Sequence, residues 1–167
     1  MRVLVVALAA CCTLSAGCGG SHAPVSPERP APPSARETAP GGSAPEQAIR
    51  GFATAYINWT ATSVAGDMRA LANVSIGQAR SAMQLAAAET AGDYELQQGG
   101  IANSGTVEAV APLPGRRNQY AVVTLEETTA TASNAYQGLA PSWHLAVATV
   151  VEAVPGRWVV SGWQPEN

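Results

Sequence analysis

The hydrophobic pattern has two different periods between residue 46 and residue 164. Apolar side chains first recur at spacings of three and four, which predicts amphipathic helices with one buried face each. The predicted buried positions are Ile49, Phe52, Ala53, Tyr56, Ile57 and Thr60 in a first helix, Met68, Leu71 and Ala72 in a second, and Ile76, Ala79, Met83, Ala86 and Ala87 in a third. Gly99 and Gly100 end this helical half.

Polar residues with the spacing of helix caps precede these helices. Ser43 and Glu46 have the spacing of a capping box before the first helix, and Ser75 and Gln78 repeat it before the third. Asp67 is expected to cap the second helix. Oxygen atoms at such positions accept hydrogen bonds from amides that have no partner within the helix.

After residue 100 the period changes to two, which predicts strands. They cover residues 106–113, 119–129, 143–154 and 157–163, and turn-rich segments at 114–118 and 155–156 connect them as hairpins. Both alternating faces of the third strand are mostly apolar, so we expect it to lie centrally and to be largely covered. Helices followed by antiparallel strands imply an α+β fold, with three N-terminal helices packed on a sheet of about four strands.

The beginning of the chain has the pattern of an export signal. Residues 3–17 carry no charge, and such a run is shorter than the roughly 20 residues that cross a bilayer but matches the apolar part of a secretory signal. It ends in Leu14-Ser15-Ala16-Gly17-Cys18, which resembles the bacterial lipobox. That resemblance implies a lipoprotein signal peptide at 1–17 and cleavage before Cys18. It also implies that the thiol of this cysteine carries a diacylglycerol and that its new amine is acylated by a fatty acid such as palmitate. Cleavage by signal peptidase I and an uncleaved anchor are the alternatives.

The next segment, residues 18–45, is predicted to be the lipidated cysteine followed by a disordered linker. Residues 19–45 contain seven prolines and no aromatic residue, so they cannot bury enough apolar surface to fold. An extended proline-rich chain of this length reaches at most roughly 80 Å. We therefore expect a third segment, residues 46–167, to form an α+β domain held by lipid on the extracytoplasmic side of the cell membrane.

Cysteine usage and charge exclude several kinds of site. The three cysteines are Cys11, Cys12 and Cys18, and the first two would leave with the signal peptide. We therefore expect neither a disulfide nor a cysteine-based zinc site in the exported protein. The net charge of −3 argues against nucleic acid as a partner, because binding to phosphates requires a basic surface.

The order of elements between residues 46 and 164 resembles the NTF2-like, or cystatin-like, α+β superfamily. It is most similar to the small secreted or lipid-anchored members found in GC-rich Gram-positive bacteria. The resemblance rests on helices followed by long strands, and it implies a strongly curved sheet that forms a cone around the helices. It also implies that the protein binds a small ligand in the cone, dimerises through the outer face of the sheet, or catalyses an isomerase or cyclase reaction.

Few side chains of the domain carry candidate chemistry. There is no glycine-rich phosphate loop, no Gly-x-Ser-x-Gly and no His-Glu-x-x-His, so we expect no cofactor and no metal. Tyr56, Trp59 and His144 are the candidates for a ligand pocket. The alternatives are core packing for the two aromatic residues and a half-buried histidine satisfied by a neighbour. The remaining expectations are sheet packing for Trp143, Trp158 and Trp163, and helix capping for Asp67 and Asp93.

Two classes of function fit these observations. The first is a non-catalytic binding or protein-interaction module, with an envelope protein or a small apolar ligand as its partner. The second is a small cone-type isomerase or cyclase in which His144 acts as the base and Tyr56 donates a hydrogen bond. A solvent-reached cavity bordered by both His144 and a carboxylate would favour the enzyme. A secreted inhibitor is a further alternative, but it would need an apolar hairpin tip, and Arg116-Arg117 is polar.

Overall fold

The computed structural model describes residues 41–132, 134–136 and 139–166. The predicted signal peptide, Cys18 and the linker up to residue 40 lie outside these residues. The elements are α1 (Pro45–Ile57), β1 (Trp59–Thr60), α2 (Val64–Val74), α3 (Gly77–Ala91), α4 (Tyr94–Gly99), β2 (Ile101–Pro112), β3 (Gln119–Ala130), a 3-10 turn (Asn134–Tyr136), β4 (Ser142–Val154) and β5 (Arg157–Glu166). None of the helices among the described residues is long and apolar enough to span a bilayer.

The strands form one antiparallel sheet, in which β1 to β5 lie side by side in chain order. The sheet curls into a half-barrel, and the α+β class predicted from the sequence is confirmed. Interruptions of the register between Val107 and Ala109 and between Thr149 and Val150 contribute to this curl, because an extra residue in one strand bends it. The described sheet has five strands rather than about four, since the two residues of β1 pair with β2.

A fourth helix, α4, follows the three that the sequence predicts. It begins because the Asp93 carboxylate accepts a hydrogen bond from the Leu96 amide at 2.9 Å, which confirms the capping role predicted for Asp93. It ends because Gly100 adopts a left-handed conformation with φ of 58°, which suits a residue without a side chain.

The capping boxes predicted for α1 and α3 are wrong. The backbone N–H and the hydroxyl of Ser43 both donate to Gln47 Oε1, at 3.0 and 2.9 Å, and no side chain caps α1. Ser75 donates its hydroxyl backwards to the Leu71 carbonyl at 2.8 Å, and Gln78 bonds to β5. Ser43, Ser75 and Gln78 thus form hydrogen bonds with groups other than the helix amides that their spacing suggested.

The cap predicted for α2 is also wrong. The helix begins at Val64, so Asp67 lies within its first turn rather than before it. A negative charge there still interacts favourably with the positive end of the helix dipole. One residue of the first predicted helix is misplaced as well, because Thr60 lies in β1 and is exposed.

The core lies between α1, α2 and α3 and the face of the sheet that these helices cover, which we call the inner face. Its larger members come from every layer: Ile49, Phe52, Met68, Leu71, Met83, Val122, Val150, Val160 and Trp163. The two aromatic rings of Phe52 and Trp163 meet with centroids 5.2 Å apart. The helical stripe read from the sequence therefore points into this core.

The predicted central position of β4 is confirmed, because it lies between β3 and β5, but the strand is covered mainly on one face. Ala146, Ala148 and Val150 on the inner face are buried, whereas Trp143 and Leu145 on the other face are 65% and 44% exposed. We call that other face the outer face. Because Trp143 is mostly exposed there, the sheet packing predicted for it is wrong. Its β4 residues Trp143, Leu145 and Val147 lie beside Leu125, Val123 and Ala121 of β3. The described helices cover only one side of the sheet.

The free edge of β5 is covered by other parts of the chain. Gly42 and Trp158 exchange two backbone hydrogen bonds of 3.1 and 2.9 Å. Further along the strand, the Ile76 amide donates to the Val160 carbonyl at 3.1 Å. Backbone groups that an edge strand usually leaves to solvent are thus paired.

Candidate functional site

Two neighbouring cavities lie against the inner face of the sheet and share Tyr56 and Glu126. One has a volume of about 140 Å³ and is also lined by His144, Trp163 and Glu166. The other has a volume of about 280 Å³, and its further lining residues are Trp59, Val64, Met68, Ala86, Thr90 and Asn103. These cavities are the candidate ligand site.

The structure brings the three predicted pocket residues to this site from three elements. Tyr56 near the end of α1 lines both cavities, Trp59 of β1 lines the larger one and His144 of β4 lines the smaller one. Tyr56 and Trp59 are half-buried and also pack against the core, so both roles considered from the sequence apply to them. His144 is exposed, and its Nε2 lies 2.8 Å from the Ser142 hydroxyl.

A network of polar side chains, missed from the sequence, surrounds the carboxylate of Glu126. Its Oε2 accepts from Asn103 Nδ2 at 2.8 Å, and its Oε1 accepts from the Thr124 hydroxyl at 2.6 Å. Asn103 Nδ2 also donates to the Ile57 carbonyl at 2.7 Å, and its Oδ1 accepts from the Thr128 hydroxyl at 2.9 Å. The network fixes the position of the carboxylate between α1, β2 and β3.

The sequence of β3 does contain a signal of this network. Every second residue of the strand faces inward, and these positions change from apolar to polar along the chain: Tyr120, Val122, Thr124, Glu126 and Thr128. A run of polar side chains on the core face of a strand requires partners or a cavity, because burial of an unpaired polar group is costly.

Burial raises the pKa of the Tyr56 hydroxyl above its ordinary value. The nearby indole N–H of Trp163 acts in the opposite direction and lowers this pKa, while the negative charge of Glu126 raises it. The phenol is therefore protonated at neutral pH, and it is able to donate a hydrogen bond to a ligand. The rings of Tyr56 and Trp163 meet edge to face, with centroids 5.2 Å apart.

The indole N–H of Trp163 is a buried donor without an acceptor. The residue is 3% exposed, and although its N–H lies close enough to Tyr56 to influence that pKa, Nε1 donates no hydrogen bond within the described residues. An unsatisfied buried donor costs about 1–3 kcal/mol. The ring of Trp163 lines the smaller cavity, whereas its Nε1 atom is buried away from solvent.

A third cavity, of about 280 Å³, lies in the groove between α1 and α2. Small side chains, among them Ala48, Ala55 and Ala70, form much of its wall. The side-chain amide of Asn58 is already bonded to the backbone of Thr54 and Gly105, at 2.8 to 3.2 Å. We place the candidate site in the two cavities against the sheet, because they hold the three predicted pocket residues together with the network around Glu126.

The chemistry of the candidate site suits the binding of a small ligand with an apolar body and polar groups. Within the described residues, no three histidine, cysteine, aspartate or glutamate side chains lie together as metal ligands. No family model matches the chain, and comparisons with curated proteins and with solved structures give no match.

Proposed function

We propose that the protein is a lipid-anchored, non-catalytic binding module on the extracytoplasmic side of the cell membrane. Its domain is an NTF2-like cone, and its ligand is a small, mostly apolar molecule. The observation that carries this proposal is the pair of adjoining cavities that share Tyr56 and Glu126. The aromatic ring of Trp163 on the wall of the smaller cavity supports it.

Binding in the cone is tested with the neutral fluorescent probe N-phenyl-1-naphthylamine. The full chain should enhance its fluorescence, and Ala86→Phe should weaken binding about fivefold or more, because the larger side chain fills the 280 Å³ cavity. Ala88→Phe, at an exposed position of the same helix, is the matched control and should bind like the wild type. Equal binding by both variants would place the probe elsewhere and contradict the proposal.

The lipid anchor is proposed from Leu14-Ser15-Ala16-Gly17-Cys18 and the proline-rich segment behind it. Cys18→Ala should remove the mass of the acyl groups and move the protein out of the membrane fraction, since two or more chains are needed for stable attachment. Cys12→Ala should change neither property, because this residue would leave with the signal peptide. A processed Cys18→Ala variant that still pellets with membranes would contradict the anchor.

A homodimer through the outer face of the sheet is part of the proposal. Trp143 and Leu145 are exposed there next to Val123 and Leu125 of the neighbouring strand. Adjacent apolar residues on an open sheet surface are typical of interaction sites. An envelope protein is the alternative occupant of this face.

One observation favours the cone-type enzyme as a second candidate: His144 and Glu126 border the same 140 Å³ cavity. A base in this position could abstract a proton next to a carbonyl group. Exchange of the α-protons of cyclohexanone in D₂O measures this chemistry directly. If the protein is a binding module, the wild type and His144→Gln should give the same exchange rate. Faster exchange with the wild type that is lost in His144→Gln would establish the enzyme instead.

A further inference from the structure

The walls of the two cavities carry negative charge. Glu126 lines both cavities and Glu166 lines the smaller one. None of the arginines within the described residues lines either cavity, and the chain contains no lysine. The basic side chain on these walls, His144, is exposed and already has the Ser142 hydroxyl as a partner.

The carboxylate of Glu126 has neutral partners only in the described part of the chain. Asn103 and Thr124 hold one oxygen atom each, at 2.8 and 2.6 Å, and neither residue carries a charge. The side chain is half-buried, so solvent screens its charge less than that of a surface carboxylate. Each carboxylate oxygen can accept a further hydrogen bond. The network thus positions a negative charge at the cavities without neutralising it.

Aromatic rings surround this charge. Tyr56 lies on both cavities, Trp163 on the smaller and Trp59 on the larger. The faces of such rings attract cations, and the attraction is stronger where water is excluded. The volumes of about 140 and 280 Å³ are below the usual size of drug-binding cavities, so the ligand is small.

We propose that the ligand of the cone is a small organic cation, an amine whose ammonium group binds at Glu126 and whose apolar body lies against Tyr56 and the neighbouring tryptophans. This inference rests on the proposed ligand-binding function and names the chemical class of the ligand. An anion of the same shape would be repelled by the charges of Glu126 and Glu166, and a neutral analogue would lack the attraction between opposite charges.

Three probes of similar shape and different charge test the inference: 2-phenylethylamine, 2-phenylethanol and phenylacetate. Binding to the full chain is followed through the indole N–H signals in ¹H–¹⁵N spectra. The signals of Trp59 and Trp163 should shift, and that of Trp143 on the outer face is the internal reference. The amine should bind about tenfold more tightly than the alcohol, and phenylacetate should bind most weakly.

Charge-removing variants assign the preference to one carboxylate. Glu126→Gln should weaken amine binding about tenfold and affect binding of the alcohol much less, because the amide keeps the shape but not the charge. Glu127→Gln, on the next residue and exposed, is the matched control and should behave like the wild type. If Glu126→Gln proves unstable, Glu126→Asp keeps the charge and should retain the preference for the amine.

The outcomes separate this inference from the proposed function. If all three probes bind equally, or if Glu126→Gln keeps the preference, the cationic ligand is refuted while binding of N-phenyl-1-naphthylamine still supports a cone site. If neither that neutral probe nor any of the three binds, both proposals fail.

Discussion

The side chain of Gln78 forms two hydrogen bonds with the backbone of Trp163. The Trp163 amide donates to Gln78 Oε1 at 2.7 Å, and Gln78 Nε2 donates to the Trp163 carbonyl at 3.2 Å. Gln78 is the second residue of α3, so this pair joins the beginning of a helix to the edge of the sheet. Trp163 carries the buried indole at the candidate site, and its backbone is thereby held in place.

Gln78→Ala should lower the free energy of unfolding by about 1–3 kcal/mol, because it leaves two backbone groups of Trp163 without protein partners. Urea denaturation monitored by tryptophan fluorescence measures this. Gln84→Ala, at an exposed position of the same helix, is the control and should stay within about 0.5 kcal/mol of the wild type. Equal stability of the two variants would show that the pair contributes nothing.

Asn103→Ala should be more destabilising, by about 2–4 kcal/mol, because one change removes partners from Ile57, Glu126 and Thr128. The same urea titration measures the loss. Asn73→Ala, at an exposed site in α2, is the control and should change the stability by less than about 0.5 kcal/mol. A loss no larger than that of the control would mean that solvent replaces the network.

Tyr56 should contribute to a loss of stability at alkaline pH. Because burial raises its pKa in the folded protein, the unfolded chain loses this proton first as the pH increases above about 10. The contribution is fully present below that pH and is lost as the pH rises through the folded pKa. Tyr56→Phe should therefore show a shallower decline in urea midpoint between about pH 9 and 11. Tyr94→Phe, at an exposed site, should follow the wild-type curve.

Self-association should depend on the outer face of the sheet. Trp143→Ser is expected to weaken the dimer about tenfold or more in sedimentation velocity experiments, because aromatic anchors dominate such interfaces. Tyr94→Ser removes an aromatic side chain of similar exposure, 68% against 65%, from a helix and should leave the dimer intact. A monomeric wild type at high concentration would contradict the dimer.

The long elements could be predicted from the sequence because each repeats its hydrophobic period several times. The strand β1 has two residues and α4 has six, so neither displays a period of its own. β1 exists because Trp59 and Thr60 pair with β2, more than 40 residues away in the chain. The sequence shows that both faces of β4 are mostly apolar. It does not show which face the helices cover, because that depends on tertiary packing.

The candidate site was predictable in part. Tyr56, Trp59 and His144 were recognised as candidate pocket residues by their types and positions, and the structure places all three on the two cavities. Glu126 and Asn103 were missed because they meet only through the pairing of β2 with β3. Local spacing cannot reveal such a contact, and it also misassigned the hydrogen bonds of Ser75 and Gln78.

The covered edge of β5 limits how copies of this chain can associate. Gly42, Ile76 and Gln78 occupy hydrogen-bonding groups at Trp158, Val160 and Trp163, where a strand from another molecule would otherwise add. Lateral growth into a continuous ribbon of strands is therefore blocked on this side, even when many copies are crowded together. At this edge, association is left to the side chains, which allows it to be reversible and selective.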